Sequence, residues 1–105
     1  MTWNMDNGAK ALTATFADLI AGSMGVEKLV EMDLVNGSTA DTTADVQFFN
    51  AALSMNFDMG MAIPVAVGDP ISRKNIVLKV GDVLRARKAG ETVTANWSVI
   101  VRSTS

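Results

Sequence analysis

Two pairs of carboxylates have the spacing that acid–base or metal chemistry would use. Glu31 and Asp33 are two residues apart, so a β-strand would place both on one face, where they could act as acid and base. Asp41 and Asp45 flank a threonine-rich stretch and offer oxygen ligands for calcium, but their spacing does not match an EF-hand loop. A polar strand face that keeps an edge soluble explains the first pair better. The sequence therefore predicts neither a catalytic site nor a metal site here.

The residue types on which most catalytic sites depend are missing. The chain has 105 residues and contains neither histidine nor cysteine. This composition excludes Ser-His and Cys-His nucleophile pairs, thiolate metal sites and disulfides. The sequence also has no glycine-rich phosphate-binding loop. We therefore expect a protein that is not an enzyme and that binds no cofactor.

The segment "RARK", residues 85–88, raises the question of nucleic-acid binding. Arg85 and Arg87 alternate with Leu84 and Ala86, as the two faces of a half-buried strand do. Nucleic-acid sites interleave basic residues with exposed aromatics or use a recognition helix, and the chain has no tyrosine. A protein-contact surface is therefore the preferred interpretation. The nucleic-acid alternative predicts a steeply salt-dependent affinity for DNA that is lost when both arginines become alanine.

Charge is distributed unevenly along the chain. Residues 1–70 contain nine acidic and two basic residues, whereas residues 71–105 contain seven basic and two acidic ones, giving a net charge of −2. Opposite signs on the two parts would let neighbouring copies attract each other and would fix their relative position. We therefore expect self-association that uses complementary charges.

Apolar and polar residues alternate with a period of two from residue 26 onward, which predicts strands. Asn36-Gly37 is typical of a type I′ hairpin turn but also fits the start of a longer connection. Pro64 cannot donate to a sheet ladder, so its strand either lies at an edge or begins near Pro64. The predicted strands span residues 12–20, 26–35, 45–53, 60–67, 75–80, 83–88 and 92–102; the first of these segments also fits a short helix.

About seven short strands, with turns every eight to twelve residues, predict an all-β fold. We expect a single-domain antiparallel β-sandwich, jelly-roll-like, or a small barrel. Residues 1–105 make one domain, and residues 1–10 are a candidate N-terminal arm. The predicted core consists of Phe16, Leu19, Val30, Met32, Leu34, Val46, Phe48, Leu53, Ile63, Ile76, Leu78, Leu84, Trp97, Val99 and Val101.

Two apolar groups are candidates for contacts between subunits. Met55, Met59 and Met61 cluster in "SMNFDMGMAIP". Unbranched thioethers fill irregular core gaps and also suit adaptable contact surfaces, so core filling is the preferred interpretation and a contact between subunits the alternative. Trp3 and Met5 lie near a polar terminus and would be costly to leave in water. These two residues either pack within the chain or dock on a neighbour.

Targeting signals are not evident in the sequence. The first residues do not form a secretory signal, and no apolar run approaches the ~20 residues that a membrane-spanning helix needs. We therefore expect a protein that is made inside a cell and has no membrane partner.

The closing segment "IPVAVGDPISRKNIVLKVGDVLRARKAGETVTANWSVIVRS" resembles the final half of small all-β virion proteins of tailed bacteriophages. Those proteins have an apolar strand, a loop, a Gly-Asp turn before a strand with leucine and alanine, and a last strand of alternating valines. Arg85 and Arg87 depart from the family pattern, which has small polar residues there, and so does the methionine-rich segment. The matching residues are Leu78, Gly81, Asp82, Leu84, Ala86 and the series from Val93 to Val101.

The resemblance implies a non-enzymatic virion component that is made in the host cytoplasm. Its expected role is a capsid decoration (cement) protein that oligomerises and binds the major capsid lattice. The alternatives are a neck or tail component and a carbohydrate- or receptor-binding sandwich, which would stack sugars on an exposed tryptophan. Nucleic acid is not expected as a partner. The candidate protein-contact surface comprises Trp3, Met5, Arg73, Lys74, Arg85, Arg87 and Lys88.

Overall fold

The computed structural model describes residues 3–103, and the side chains from residue 7 to residue 102. Within this range the chain forms strands and no helix, so none of the described segments is a helix that could span a membrane. The all-β prediction is confirmed. The strands are β1 (Trp3–Ala11), β2 (Ala17–Ala21), β3 (Val26–Asn36), β4 (Thr42–Asn50), β5 (Met55–Val65), β6 (Ile71–Leu78), β7 (Val83–Lys88) and β8 (Val93–Ser103).

The strands pair in a nested, antiparallel order. β1 pairs with β8, β2 with β7, β3 with β6 and β4 with β5. Two further pairings, β3 with β8 and β4 with β7, join these pairs into two four-stranded sheets. Sheet 1 has the order β1-β8-β3-β6 and sheet 2 the order β2-β7-β4-β5. Eight strands wound in this way form a jelly roll, so the predicted sandwich architecture is confirmed.

One strand that the sequence did not predict, β1, comes from the N-terminal residues. Trp3–Ala11 falls within and just beyond the candidate arm, and it pairs with β8 along its whole length, from Trp3 opposite Arg102 to Ala11 opposite Thr94. Its sequence, "WNMDNGAKA", contains only two large apolar residues, and the strand is ordered by backbone pairing with β8. The following segment is a loop over residues 12–16 and then a short strand, not a helix.

The turn between β4 and β5 lies at residues 51–54 and overlaps the end of the region predicted as strand 45–53. It contains no glycine or proline, which is why the sequence did not reveal it. Instead, Asn50 Oδ1 accepts a hydrogen bond from the Leu53 N–H (3.1 Å), and Ser54 adopts a positive φ of 51°. Leu53 is therefore exposed (59 %), and its assignment to the core is wrong.

The core lies between the two sheets. Nine predicted core residues are buried, and Leu19, Phe48, Trp97 and Val101 pack against them with partial exposure. Phe16 is outside this cluster because its ring lies beneath the Arg87 guanidinium, which belongs to the other face of β7. Burial of these apolar surfaces contributes roughly 25 cal/mol per Å². The nine are Val30, Met32, Leu34, Val46, Ile63, Ile76, Leu78, Leu84 and Val99.

Asn36-Gly37 opens the longer connection that carries the chain from sheet 1 to sheet 2. Asn36 is buried, and its side-chain amide donates to the carbonyls of Ala40 (2.8 Å) and Val65 (3.0 Å). Its carbonyl oxygen accepts hydrogen bonds from the backbone N–H and the hydroxyl of Ser38. The two-residue hairpin is therefore not formed.

Asp82 ties together loops at one end of the sandwich. Its carboxylate accepts hydrogen bonds from the backbone N–H groups of Ala51 and Lys79, both at 2.9 Å, and its own carbonyl accepts from the Gly22 N–H at 2.7 Å. The preceding Gly81 has a φ of 83°, which glycine adopts without steric cost. The Gly-Asp turn thus links the turns before β5 and β7 to the loop after β2.

Replacing the Asp82 carboxylate tests this role. In Asp82→Ala two part-buried N–H groups lose their acceptor, so we expect a loss of about 3 kcal/mol in the free energy of unfolding. Urea denaturation would measure the loss, with an unchanged m-value. Asp69→Ala, which removes an exposed turn carboxylate, is the control and should change stability by less than about 0.5 kcal/mol. Equal effects of the two substitutions would contradict the proposed role of Asp82.

Candidate interaction surfaces

Arg85 is held by its own chain on the outer face of sheet 2. β7 lies between β2 and β4, and the Arg85 Nε donates to Asp18 Oδ1 on β2 at 2.6 Å. Its Nη1 donates to Asn56 Oδ1 on β5 at 3.1 Å, and its guanidinium lies 5.4 Å from the ring centroid of Phe49. The side chain therefore spans the sheet instead of projecting toward a partner.

Arg87, two residues further along β7, also contacts an aspartate and an aromatic ring of its own chain. Its Nε donates to Asp45 Oδ2 at 2.6 Å, and its guanidinium stacks 4.3 Å from the ring centroid of Phe16. Cation–π contacts of this kind contribute about 0.5–1 kcal/mol at exposed sites. The two arginines of "RARK" thus stabilise the packing of their own sheet.

Asp45 connects Arg87 to an irregularity in β5. Its Oδ1 accepts a hydrogen bond from the Ala62 N–H at 2.7 Å, where the register of β4 and β5 shifts and Ala62 has a φ of 51°. The hydrogen bond from Ala62 and then that from Arg87 hold the pKa of the Asp45 carboxyl below its usual range. The carboxylate therefore stabilises the irregular backbone at Ala62 by accepting its N–H.

The predicted contact residues do not form one surface. Arg73 and Lys74 lie on β6 in sheet 1, whereas Arg85, Arg87 and Lys88 lie on β7 in sheet 2. Lys74 pairs with Glu31 (3.5 Å), and Lys88 Nζ donates to the Gly90 carbonyl (2.7 Å). Trp3 and Met5 occupy β1 opposite Arg102 and Ile100, and their side chains lie outside the described ones.

Charge complementarity is satisfied within the chain. In the part of the protein that the structure describes, four ion pairs form, and each joins an acid from residues 1–70 to a base from residues 71–105. These pairs connect neighbouring strands, which explains why the two parts of the sequence have opposite charge. The residues are Glu31 with Lys74, Asp18 with Arg85, Asp45 with Arg87, and Glu27 with Arg102.

The carboxylates considered for acid–base or metal chemistry have separate structural partners. Asp33 accepts a hydrogen bond from the Ser72 hydroxyl at 2.6 Å, while Glu31 faces Lys74. Asp41 accepts from the Val67 N–H at 3.1 Å, and Asp45 serves Ala62 and Arg87. No group of three or more acidic side chains with metal-ligand spacing occurs among the described residues.

Trp97 points toward the interior from β8. It lies opposite Gly8 of β1, and a Cβ atom at Gly8 would stand 2.6 Å from the indole ring. The ring packs against the core with partial exposure. A sugar-stacking platform needs an exposed ring face, so this position of Trp97 does not support the carbohydrate-binding alternative.

One apolar surface that the sequence analysis missed crosses the outer face of sheet 1. Leu29, Val77 and Ile100 occupy neighbouring positions on β3, β6 and β8 and line a shallow groove. Leu29 and Val77 are 40 % and 45 % exposed. The Glu27–Arg102 ion pair borders this row. The sequence signal was the apolar residue at each of these outward positions, in strands whose alternate residues already form the core.

A second apolar surface lies along β5, an edge strand of sheet 2. Met55, Phe57 and Met61 are exposed, so core filling is wrong for the first and last of the clustered methionines. Met59 packs against the core, as that interpretation predicted. Long edge strands with exposed apolar side chains are ready templates for pairing with another chain.

Comparisons with known proteins add a likeness of fold. The chain matches no protein-family model, and no curated protein matches it. A solved structure described as "Bacillus endospore appendages form a novel family of disulfide-linked pili" superposes with a TM-score of 0.61 at 16 % identity. The alignment covers 99 % of this chain and 88 % of the other. At this identity the likeness concerns the fold alone.

The hydrogen bonds at Asp45 predict an acid-dependent loss of stability. Because folding lowers the pKa of Asp45, its contribution is complete above the unfolded value near ~3.9 and disappears as the pH falls through the folded value. We expect Asp45→Asn to be about 1–2 kcal/mol less stable than the wild type at pH 7. The difference should shrink at pH 3 and below.

Urea denaturation at a series of pH values measures this difference. Asp69→Asn, which changes an exposed carboxylate in the turn before β6, is the control and should follow the wild-type profile. If the Asp45→Asn and wild-type profiles run parallel from pH 7 to pH 2, Asp45 does not stabilise the bulge in the manner described.

Proposed function

We propose that this protein is a non-enzymatic structural subunit that associates with copies of itself and with other proteins of a larger assembly. The observation that carries the proposal is the pair of separate apolar surfaces, one along the β5 edge and one across sheet 1 around Leu29, Val77 and Ile100. Exposed apolar patches on a small soluble domain mark interaction sites. Two such surfaces on one domain suit a subunit with more than one kind of neighbour.

The residues that carry the resemblance to phage virion proteins have structural roles in this fold. Leu78, Leu84 and Ala86 of the matching motif are buried between the sheets, and Asp82 ties the loops at one end. The motif therefore contributes to the core and to the loop contacts of this sandwich. The specific assembly that we propose is a virion, with the protein made in the host cytoplasm and then bound to the major capsid lattice as a decoration protein.

A pilus-type filament subunit is the second candidate, because the protein with the similar fold is described as forming disulfide-linked pili. The present chain contains no cysteine, so disulfide linkage is not available to it. A filament of this protein would depend on its apolar surfaces and strand edges. A neck or tail component would use the same surfaces on a different neighbour.

Binding to purified particles tests the proposal. We expect the protein to co-sediment with capsid shells that lack it and to saturate at a fixed number of copies per capsomer. Saturable binding to purified tails, without binding to shells, would favour the neck or tail role over capsid decoration. Ordered filaments of the isolated protein in electron micrographs would favour the pilus candidate. Absence of binding to shells and tails, together with absence of filaments, would overturn the structural role.

A further inference from the structure

One segment of the β5 edge lacks the features that normally prevent edge pairing. From Met55 to Asp58 the strand follows a regular register with Asn50 to Gln47 of β4, and its other side is the edge of sheet 2. This segment contains no proline, lysine or bulge, which are the usual means of blocking an edge. Its outer backbone groups are therefore placed to pair with another strand.

The other described edges are protected. The second half of β5 contains two register shifts and Pro64. In β6 a register shift at Asn75, with a φ of 60°, interrupts the ladder, and Arg73 lies on the inward side opposite Met32. β2 has only five residues and a bulge. β1, the other edge of sheet 1, carries an exposed lysine, Lys10, and edge lysines oppose pairing. This contrast singles out Met55–Asp58 as the place where a strand can be added.

The apolar area along this edge matches what a dimer needs. With about 200 Å² for each fully exposed large side chain, the exposed residues present on the order of 400 Å². A standard interface buries about 800 Å² per partner, of which about 56 % is apolar. One such patch from each of two copies therefore supplies the apolar part of a stable contact. The residues are Leu53 (59 %), Met55 (52 %), Phe57 (42 %) and Met61 (48 %).

We propose that two copies of this protein pair through β5, antiparallel, about a two-fold axis at Phe57, and so join their second sheets into one eight-stranded sheet. The inference rests on the proposed self-association and specifies its contact. In this register Phe57 faces the partner's Phe57, and Asn56 faces the partner's Asp58. An isologous contact of this kind closes after two copies.

Charge favours this register over one centred on Asp58. Asp58 is the only charged residue of β5, and a two-fold axis at Asp58 would place two carboxylates opposite each other, which is destabilising. The axis at Phe57 instead puts each Asp58 beside the partner's Asn56. Because Arg85 already holds Asn56 at 3.1 Å, the incoming carboxylate meets an amide and a nearby guanidinium. Within its own chain Asp58 has a long hydrogen bond, 3.5 Å from Gln47 Nε2.

A single introduced cysteine tests the axis, since the natural chain has none. Directly opposite residues of an antiparallel pair have Cα atoms ~4.5–5.5 Å apart, which a disulfide can bridge. We expect Phe57→Cys to form a covalent dimer on mild oxidation at least tenfold faster than Met24→Cys, an 86 % exposed position in the β2–β3 turn. Equal rates for the two variants would overturn the proposed axis.

A pair of different cysteine variants tests the register of the two β5 strands. Asn56→Cys should cross-link to Asp58→Cys in an equimolar mixture at least tenfold faster than it cross-links to itself. Faster self-cross-linking of Asn56→Cys would overturn the register. Amide exchange of unmodified protein provides a check without substitution, because protection of residues 55–58 should rise with protein concentration, and concentration-independent exchange would contradict the pairing.

Reversal of one charge tests the selection by Asp58. In Asp58→Lys the ammonium would face the partner's Asn56 and Arg85, so we expect the dimer dissociation constant to rise at least tenfold in sedimentation equilibrium. Asp69→Lys makes the same charge change in an exposed turn and should leave the constant within twofold of wild type. Equal effects would overturn the charge argument, and circular dichroism would confirm that both variants fold.

These results are separable from those of the particle-binding experiment. A protein that binds shells but does not cross-link through Phe57→Cys would retain the structural role and lose the β5 contact. A protein that cross-links as expected but binds no shell, binds no tail and forms no filament would retain the β5 contact and lose the assembly role.

Discussion

Nested antiparallel pairing between strands far apart in the sequence is the constraint on which the molecule depends. Because the first strand pairs with the last and each later pair lies inside the previous one, β1 and β6 become the edges of sheet 1 and β2 and β5 the edges of sheet 2. Every inward side chain is then fixed by the register of its strand, since a slip of one residue would turn the buried set outward. The same pairing decides which backbone edges remain open.

Charge in this protein mainly connects strands of the same chain. Asp45 accepts hydrogen bonds from both Ala62 and Arg87, so one carboxylate supports a bulge in β5 and a neighbouring side chain of β7. Exposed ion pairs contribute little individually, about 0–1 kcal/mol, but each of those found here favours the native register between two strands. Since these eight charged residues have partners within the chain, the proposed association draws chiefly on apolar surface and backbone hydrogen bonds.

The alternation of apolar and polar residues correctly predicted the all-β class, the sandwich and most of the core. The buried positions of β3 and the bounds of β7 agree with the prediction. It did not reveal β1, whose "NMDNGAK" segment is ordered by backbone pairing with β8. It also missed the turn at residues 51–54, where Asn50 and a strained Ser54 replace the usual glycine. The interaction surfaces were misplaced for a related reason: a basic residue in a sequence does not show whether its acid partner lies in the same chain, as it does for Arg85 and Arg87.

A two-fold contact through β5 also limits what the protein can build, because it closes after two copies and leaves no free copy of that edge. Any larger array therefore needs a second surface that the dimer still exposes. The row of Leu29, Val77 and Ile100 meets this condition, because it lies on the outer face of the other sheet. Its flanking Glu27–Arg102 and Glu31–Lys74 pairs would place polar groups around an apolar centre, as the rim of a protein interface does. Thus the dimer would bring two such rows to a lattice, and binding through both at once would strengthen attachment beyond that of one row.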